Sequence, residues 1–165
     1  MKKPKLLLVD ESLYYWKLIK ELSVTLDIDC FPATETEFTV LRSSFTTALN
    51  EEGEQVYREQ KIAEIEQMIA QYIGEDSDTT VFCICGNELL KDKPEINGRK
   101  FYMMFLKGKR TVITTTSENP ERINHIEYFC SENEQCSYLH KGSYPDGDAL
   151  FTTLLTEKII SFIEE

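Results

Sequence analysis

Short, continuously apolar runs alternate along the chain with longer amphipathic segments. The first run, residues 5–9, has no polar alternation, a pattern typical of a strand that is covered on both faces of a sheet. Similar runs predict further strands at residues 28–31, 79–85 and 110–115, and more weakly at 137–141.

The segments between these runs have helical periodicity. Apolar residues recur every three positions over residues 13–22, after Ser12, which can cap a helix. The pattern is stronger over residues 54–73, where Gly74 is placed to end the helix. Further helices are predicted in the second half of residues 32–53, at 101–106, after Pro120, and from Asp146 or Gly147 onward.

Five strands that alternate with helices predict βαβ units with right-handed crossovers and a mostly parallel sheet. The expected architecture is a three-layer α/β/α sandwich. A chain of 165 residues, of which 41% are hydrophobic, fits a single domain over residues 1–165.

The net charge of the chain disfavours some classes of binding partner. Lys and Arg number 18 against 29 Asp and Glu, a net charge of −11, which disfavours binding to nucleic acids and to anionic lipid surfaces. The longest clearly apolar run, residues 6–9, is far shorter than the roughly 20 residues that cross a bilayer. The N-terminus also lacks the apolar core of a signal peptide, so we expect a cytoplasmic protein.

The five cysteines are an odd set, which favours reduced thiols over a disulfide framework. Cys83 and Cys85 are two residues apart and Cys130 and Cys136 are six apart. Neither spacing is that of a zinc site, so we expect no zinc and a structural role for the thiols.

Polar side chains follow the predicted strands. Asp10 and Glu11 come after the first strand, Asn87 after the third, Thr115 at the end of the fourth and Lys141 at the end of the fifth. Ligands of parallel sheets bind at this edge. Carboxylates suit Mg²⁺ and a lysine pairs with phosphate, so Asp10 and Glu11 are candidate Mg²⁺ ligands. The same residues could instead only cap strands and start helices.

The chain resembles a response-regulator receiver domain over nearly its whole length. Residues 6–11, LLLVDE, look like the family's first strand with the acidic pair that helps to hold Mg²⁺. Thr115 resembles the switch residue that contacts the phosphoryl group, and Lys141, followed by Gly142, Ser143 and Tyr144, resembles the invariant lysine with its downstream aromatic. The resemblance implies a CheY-like, flavodoxin-like fold with strand order 2-1-3-4-5.

The chain departs from the family at the third strand, where Asn87 stands in place of the phospho-accepting aspartate. An amide cannot form an acyl phosphate, although a shifted alignment would bring Glu88 or Asp92 into the pocket. Further departures are an insertion around residues 32–53, an extended loop around 88–98, and a glycine where proline usually follows the lysine.

The resemblance therefore implies an atypical receiver, or pseudo-receiver, with a degenerate phosphorylation pocket. Such a protein would act in two-component signal transduction through protein contacts, with a histidine kinase, a downstream signalling protein or a second copy of itself. Tyr138 and Tyr144 are candidate residues of the contact surface.

Three other functions are compatible with an α/β sheet of this kind. A flavodoxin would need a glycine-containing phosphate loop after the first strand, but this chain has two carboxylates there, so we expect no flavin. A haloacid-dehalogenase-like, Mg²⁺-dependent phosphatase would need a second aspartate where Ser12 stands. A plain interaction module that binds no ligand remains open as well.

Overall fold

The computed structural model describes residues 2–142 and 147–164. Its centre is a five-stranded, all-parallel sheet in the order β2-β1-β3-β4-β5. This is the order of a flavodoxin-like α/β fold, so the predicted fold class is confirmed. The strands are β1 (Lys5–Val9), β2 (Asp29–Phe31), β3 (Val81–Gly86), β4 (Arg110–Thr115) and β5 (Cys136–His140).

In the part of the chain that the structure describes, six α-helices connect and cover the strands. They are α1 (Leu13–Thr25), α2 (Glu35–Ala48), α3 (Gln55–Ile73), α4 (Gly98–Phe101), α5 (Pro120–Glu132) and α6 (Gly147–Glu164). A π-helical turn, Tyr102–Leu106, continues α4, where the sequence predicted one short helix. Within the described residues, no helix combines the length and the apolarity that a membrane span needs.

Helix α2 fills most of the predicted insertion and begins earlier than we expected. The Thr34 side chain accepts a hydrogen bond from the Glu37 backbone N–H (3.1 Å), and its hydroxyl donates to the Glu37 carboxylate (3.2 Å). This capping arrangement starts the helix at Glu35, in the first half of residues 32–53. Two helices, α2 and α3, therefore link β2 to β3.

The alternation of side chains along β1 divides the core into two layers. Leu7 and Val9 face the layer that contains residues of α2, α3 and α5, whereas Leu6 and Leu8 face the layer that contains residues of α1 and α6. A few hydroxyl side chains, such as those of Thr111 and Thr114 on β4, are buried beside these apolar clusters. The buried charged side chains, Asp10 and Lys141, directly follow β1 and β5.

The parallel register brings those strand ends to one edge. Val9 pairs with Cys85, Gly86 with Thr114, and Thr115 with His140. The residues that directly follow these strands therefore share one side of the molecule, as the sequence predicted.

Candidate functional site at the carboxyl edge of the sheet

A buried ion pair lies at the centre of the edge. The Lys141 Nζ donates a hydrogen bond of 2.7 Å to Asp10 Oδ2, and the two side chains are only 6% and 1% exposed. The other oxygen, Oδ1, accepts from the Ser12 backbone N–H at 2.9 Å. The Lys141 ammonium also lies 4.1 Å from the centre of the Tyr15 ring, within cation–π distance.

Two glycines make room for this ion pair. A Cβ atom on Gly86 would lie 2.8 Å from Asp10 Oδ2, and one on Gly98 would lie 2.3 Å from the Gly86 carbonyl oxygen. Helix α4 begins at Gly98, so it packs directly on the end of β3. Larger residues at either position would push the Asp10 carboxylate or the α4 backbone out of place.

Asn87 is buried, and its side chain is held away from the ion pair by two charged neighbours. Its Nδ2 donates to Glu88 Oε2 (2.8 Å), and its Oδ1 accepts from Arg99 Nε (3.2 Å). Arg99 is half-buried, and burial together with the nearby Arg122 guanidinium lowers its pKa. The amide therefore bridges an acidic and a basic side chain.

The Glu88 carboxylate accepts hydrogen bonds from residues at the end of β4. Its Oε1 accepts from the Thr115 hydroxyl (2.6 Å), the Thr116 backbone N–H (2.9 Å) and, more weakly, the Thr116 hydroxyl (3.4 Å). The Thr115 hydroxyl oxygen in turn accepts from the Ser117 backbone N–H (3.0 Å). An anion is thus held on the hydroxyl and amide donors that follow β4.

Glu11 stands apart from these contacts. It is exposed overall, and its backbone carbonyl accepts from Arg42 (3.3 Å). Partial burial of its carboxyl group, and secondarily the neighbouring Asp10 carboxylate, raise its pKa.

The candidate Mg²⁺ ligands Asp10 and Glu11 lie in different surroundings, since the Asp10 side chain is buried and Glu11 is exposed. Both Asp10 oxygens already accept hydrogen bonds, one of them from a cation, and the Asn87 Oδ1 accepts from Arg99. Among residues 2–142 and 147–164, no group of three or more His, Cys, Asp or Glu is placed to hold a metal ion. Mg²⁺ is usually held in proteins by one or two carboxylates together with several waters, so Mg²⁺ binding by Asp10 and Glu11 stays a prediction.

A cavity of about 260 Å³ opens beside Glu88. Its lining includes both acidic and basic residues, among them Glu11, Lys91 and Arg122, as well as Asn87. The extended loop predicted around residues 88–98 forms one side, and an isolated bridge between Glu88 and Asn97 closes it.

Contacts of Lys93 and Lys100 connect this loop and α4 to the turn between α2 and α3. Lys100 Nζ donates to the Leu49 carbonyl oxygen (2.9 Å) and pairs with Glu51 (3.1 Å). Lys93 pairs with Glu52 (3.2 Å). The wall of the cavity is therefore tied to residues 41 to 51 positions earlier in the chain.

Of the two tyrosines predicted to lie on a contact surface, the structure describes only one. Tyr138 is half-buried on β5, and burial, with Glu127 and Glu88 nearby, raises its pKa. Tyr144 lies outside the described residues. A more exposed tyrosine, Tyr128, lies on α5 with 68% of its surface accessible.

The structure thus brings together Asp10 with Lys141, and Thr115 with Glu88, while Asn87 is turned toward Glu88 and Arg99. The sequence analysis gave Glu88 only as an alternative and did not single out Arg99. Their positions depend on the path of residues 88–98, for which no short motif exists.

The chain was also compared with known proteins. No family model matches it, and a search of the curated proteins found no match.

Proposed function

We propose that this chain is a receiver-like signalling protein whose phosphorylation pocket is occupied by its own Glu88 carboxylate, and that it acts by binding another protein. The observation that carries the proposal is the 2.6 Å hydrogen bond from the Thr115 hydroxyl to Glu88. Thr115 is the residue that resembles the family's phosphoryl-contacting switch.

The strand order and the buried ion pair support the proposal. Asp10 and Lys141, the acidic and basic residues on which the resemblance rests, meet at 2.7 Å at the carboxyl edge of the sheet. Lys141 is also joined to β4, because its backbone N–H donates to the Thr115 carbonyl oxygen at 2.8 Å. The basic, acidic and hydroxyl groups thus lie in one connected network.

Glu88 supplies what a phosphoryl group would otherwise supply, namely an anion on Thr115 and on the Thr116 amide. A carboxylate held by these donors needs no phosphorylation, so the end of β4 stays in one state. Hydrogen bonds to a charged group contribute roughly 1.5–3 kcal/mol each. Displacing Glu88 from Thr115 is therefore costly, and the pocket is expected to be insensitive to phosphodonors.

The experiment uses acetyl phosphate, with and without Mg²⁺, and measures the intact mass. The wild-type chain should gain no phosphoryl group. In the Asn87→Asp variant, the introduced carboxylate should take the phosphoryl group from acetyl phosphate, with acetate leaving. The Asn87→Asp, Glu88→Ala double variant should gain it about tenfold faster or more, because its Thr115 hydroxyl is free of Glu88.

The matched control is the double variant Asn87→Asp, Glu95→Ala, which removes an exposed carboxylate from the same loop. It should react at the rate of Asn87→Asp alone. Phosphorylation of the wild-type chain would contradict the occupied pocket. Failure of both Glu88-containing and Glu88-lacking Asn87→Asp variants to react would contradict the receiver-like pocket itself.

Protein contacts are the second part of the proposal. We place them on the surface of α5 and β5, defined by Tyr128 and Tyr138, where the partner is a histidine kinase, a downstream signalling protein or a second copy of this chain. Sedimentation equilibrium of wild-type, Tyr128→Ser and Tyr57→Ser proteins tests the second copy, since Tyr57 is 52% exposed on α3, away from this surface.

Self-association that is lost only in Tyr128→Ser would support a second copy on this surface. Loss only in Tyr57→Ser would place self-association elsewhere and contradict the assignment. A wild-type chain that remains monomeric at all concentrations would exclude the second copy and leave a different protein as the partner.

A further inference from the structure

We propose that Cys130 and Cys136 form a site of reversible oxidation, at which a peroxide converts the two thiols into an intrachain disulfide between α5 and β5. The inference is independent of the receiver-like pocket, because it rests on residues at the opposite, amino edge of β5. It also departs from the structural role that spacing alone suggested for these cysteines.

Backbone geometry folds the segment between them back on itself. The Asn133 N–H donates to the Cys130 carbonyl oxygen (3.3 Å), and the Cys136 N–H donates to the Asn133 carbonyl oxygen (2.9 Å). The Asn133 side chain adds a bond from Nδ2 to the Phe129 carbonyl oxygen (2.8 Å). These consecutive turns return the first residue of β5 to the last turn of α5.

The two side chains consequently meet in one apolar cluster, in which Cys136 belongs to the buried core and Cys130 packs against it. Cys130 is half-buried and Cys136 is 8% exposed. The neighbouring Cys130 thiol, and secondarily the Tyr102 hydroxyl, lower the pKa of Cys136 below its ordinary value. The Cys136 side chain and burial raise the pKa of Cys130, so Cys136 is the more acidic thiol of the pair.

The other three cysteines do not share this arrangement. Cys83 and Cys85 lie on one face of β3, about 6.6 Å apart along the strand, with their side chains side by side. A disulfide needs Cβ atoms about 3.8 Å apart. Burial also raises the pKa of Cys83 to about 12, and that of Cys30, on β2, to about 12.

The reaction balances with one peroxide. The Cys136 thiolate attacks a peroxide oxygen, the O–O bond breaks, and the leaving hydroxide takes a proton to become water. Cys136 then carries a sulfenic acid. The Cys130 sulfur attacks it, the S–O bond breaks, and the hydroxyl leaves with the Cys130 proton as a second water. Two thiols and one hydrogen peroxide thus give one disulfide and two waters.

Mass spectrometry can localise the product, because trypsin leaves Cys130 and Cys136 together on one peptide, residues 123–141, that contains no other cysteine. After treatment of the folded protein with hydrogen peroxide, this peptide should lose the mass of two hydrogen atoms. Cleavage at Glu132 and Glu134 should leave two fragments joined by a bond that dithiothreitol breaks.

Cys130→Ser and Cys136→Ser variants should not lose this mass, whereas the matched control Cys30→Ser should lose it as the wild-type chain does. Cys130 is half-buried at the end of a helix, so its serine variant keeps the test valid even where Cys136→Ser fails to fold.

Three outcomes would overturn the proposal. The first is addition of two oxygen atoms to Cys130 with no linked fragments, and the second is a disulfide between two copies of the chain. The third is a peptide 123–141 that stays unmodified while Cys30 oxidises.

Discussion

Replacing Lys141 with methionine should strongly destabilise the fold, because it leaves a buried carboxylate without its cation. The Asp10 side chain is 1% exposed and would keep only the Ser12 N–H as a donor. Removing one partner of a buried pair typically costs about 3–5 kcal/mol of the free energy of unfolding. For a chain of this length, that loss lowers the melting temperature by about 6–20 °C.

The assay is urea unfolding followed by the fluorescence of Trp16, the single tryptophan, which is 4% exposed in the folded state. The matched control is Lys61→Met, which removes one partner of a surface pair with Glu64 (3.1 Å, 22% and 50% exposed). A surface pair contributes at most about 1 kcal/mol, so this variant should unfold close to the wild-type midpoint.

The double variant Asp10→Asn, Lys141→Met distinguishes the cost of an unpaired buried charge from the cost of lost packing. Because no uncompensated charge remains, it should be more stable than Lys141→Met alone. The reasoning is refuted where Lys141→Met costs no more than Lys61→Met, or where adding Asp10→Asn brings no recovery.

Two further predictions concern packing and pH. Gly98→Ala should destabilise the chain by roughly 1–3 kcal/mol in the same urea assay, since its Cβ would lie 2.3 Å from the Gly86 oxygen, while Gly53→Ala, at 3.3 Å from the nearest atom, should cost less. Equal costs would contradict the close packing. Glu11 has a raised pKa, so its contribution to stability is greatest below the ordinary glutamate pKa and is lost as pH rises through the raised value. Glu11→Gln should therefore stabilise the chain slightly at pH 7 and not at pH 3, and a stabilisation of the same size at both pH values would contradict this sign.

The fold could be predicted from the sequence because its central strands are short apolar or β-branched runs between helical segments. Residues 5–9 and 110–115 have the bounds of β1 and β4, since apolar and threonine side chains suit a strand that is covered on both faces. Thr34 and Glu37 also mark the start of α2 in the sequence. The apolar residues that follow are scattered, so a helix was expected only in the second half of residues 32–53.

The site was less predictable because its contacts depend on a loop. The closeness of Asp10 and Lys141 follows from the strand order that the resemblance to receiver domains implied. The position of Glu88 depends on how residues 88–98 fold back through the bridge to Asn97, and on the fit of Gly98 against Gly86. These are tertiary contacts, and neither periodicity nor motif spacing records them. The π-helical turn at Tyr102–Leu106 likewise had no sequence signal.

The lysine contacts between the loop and the α2–α3 turn make two distant segments one cooperative unit. Lys93 and Lys100 must release Glu51, Glu52 and the Leu49 carbonyl before the loop can leave the sheet edge. Local opening, as hydrogen exchange measures it, should therefore occur in both segments together. A protein that binds the α2–α3 turn would slow amide hydrogen exchange around Glu88 without contacting Glu88 itself. Binding at the turn between α2 and α3 would thus affect the pocket from a distance.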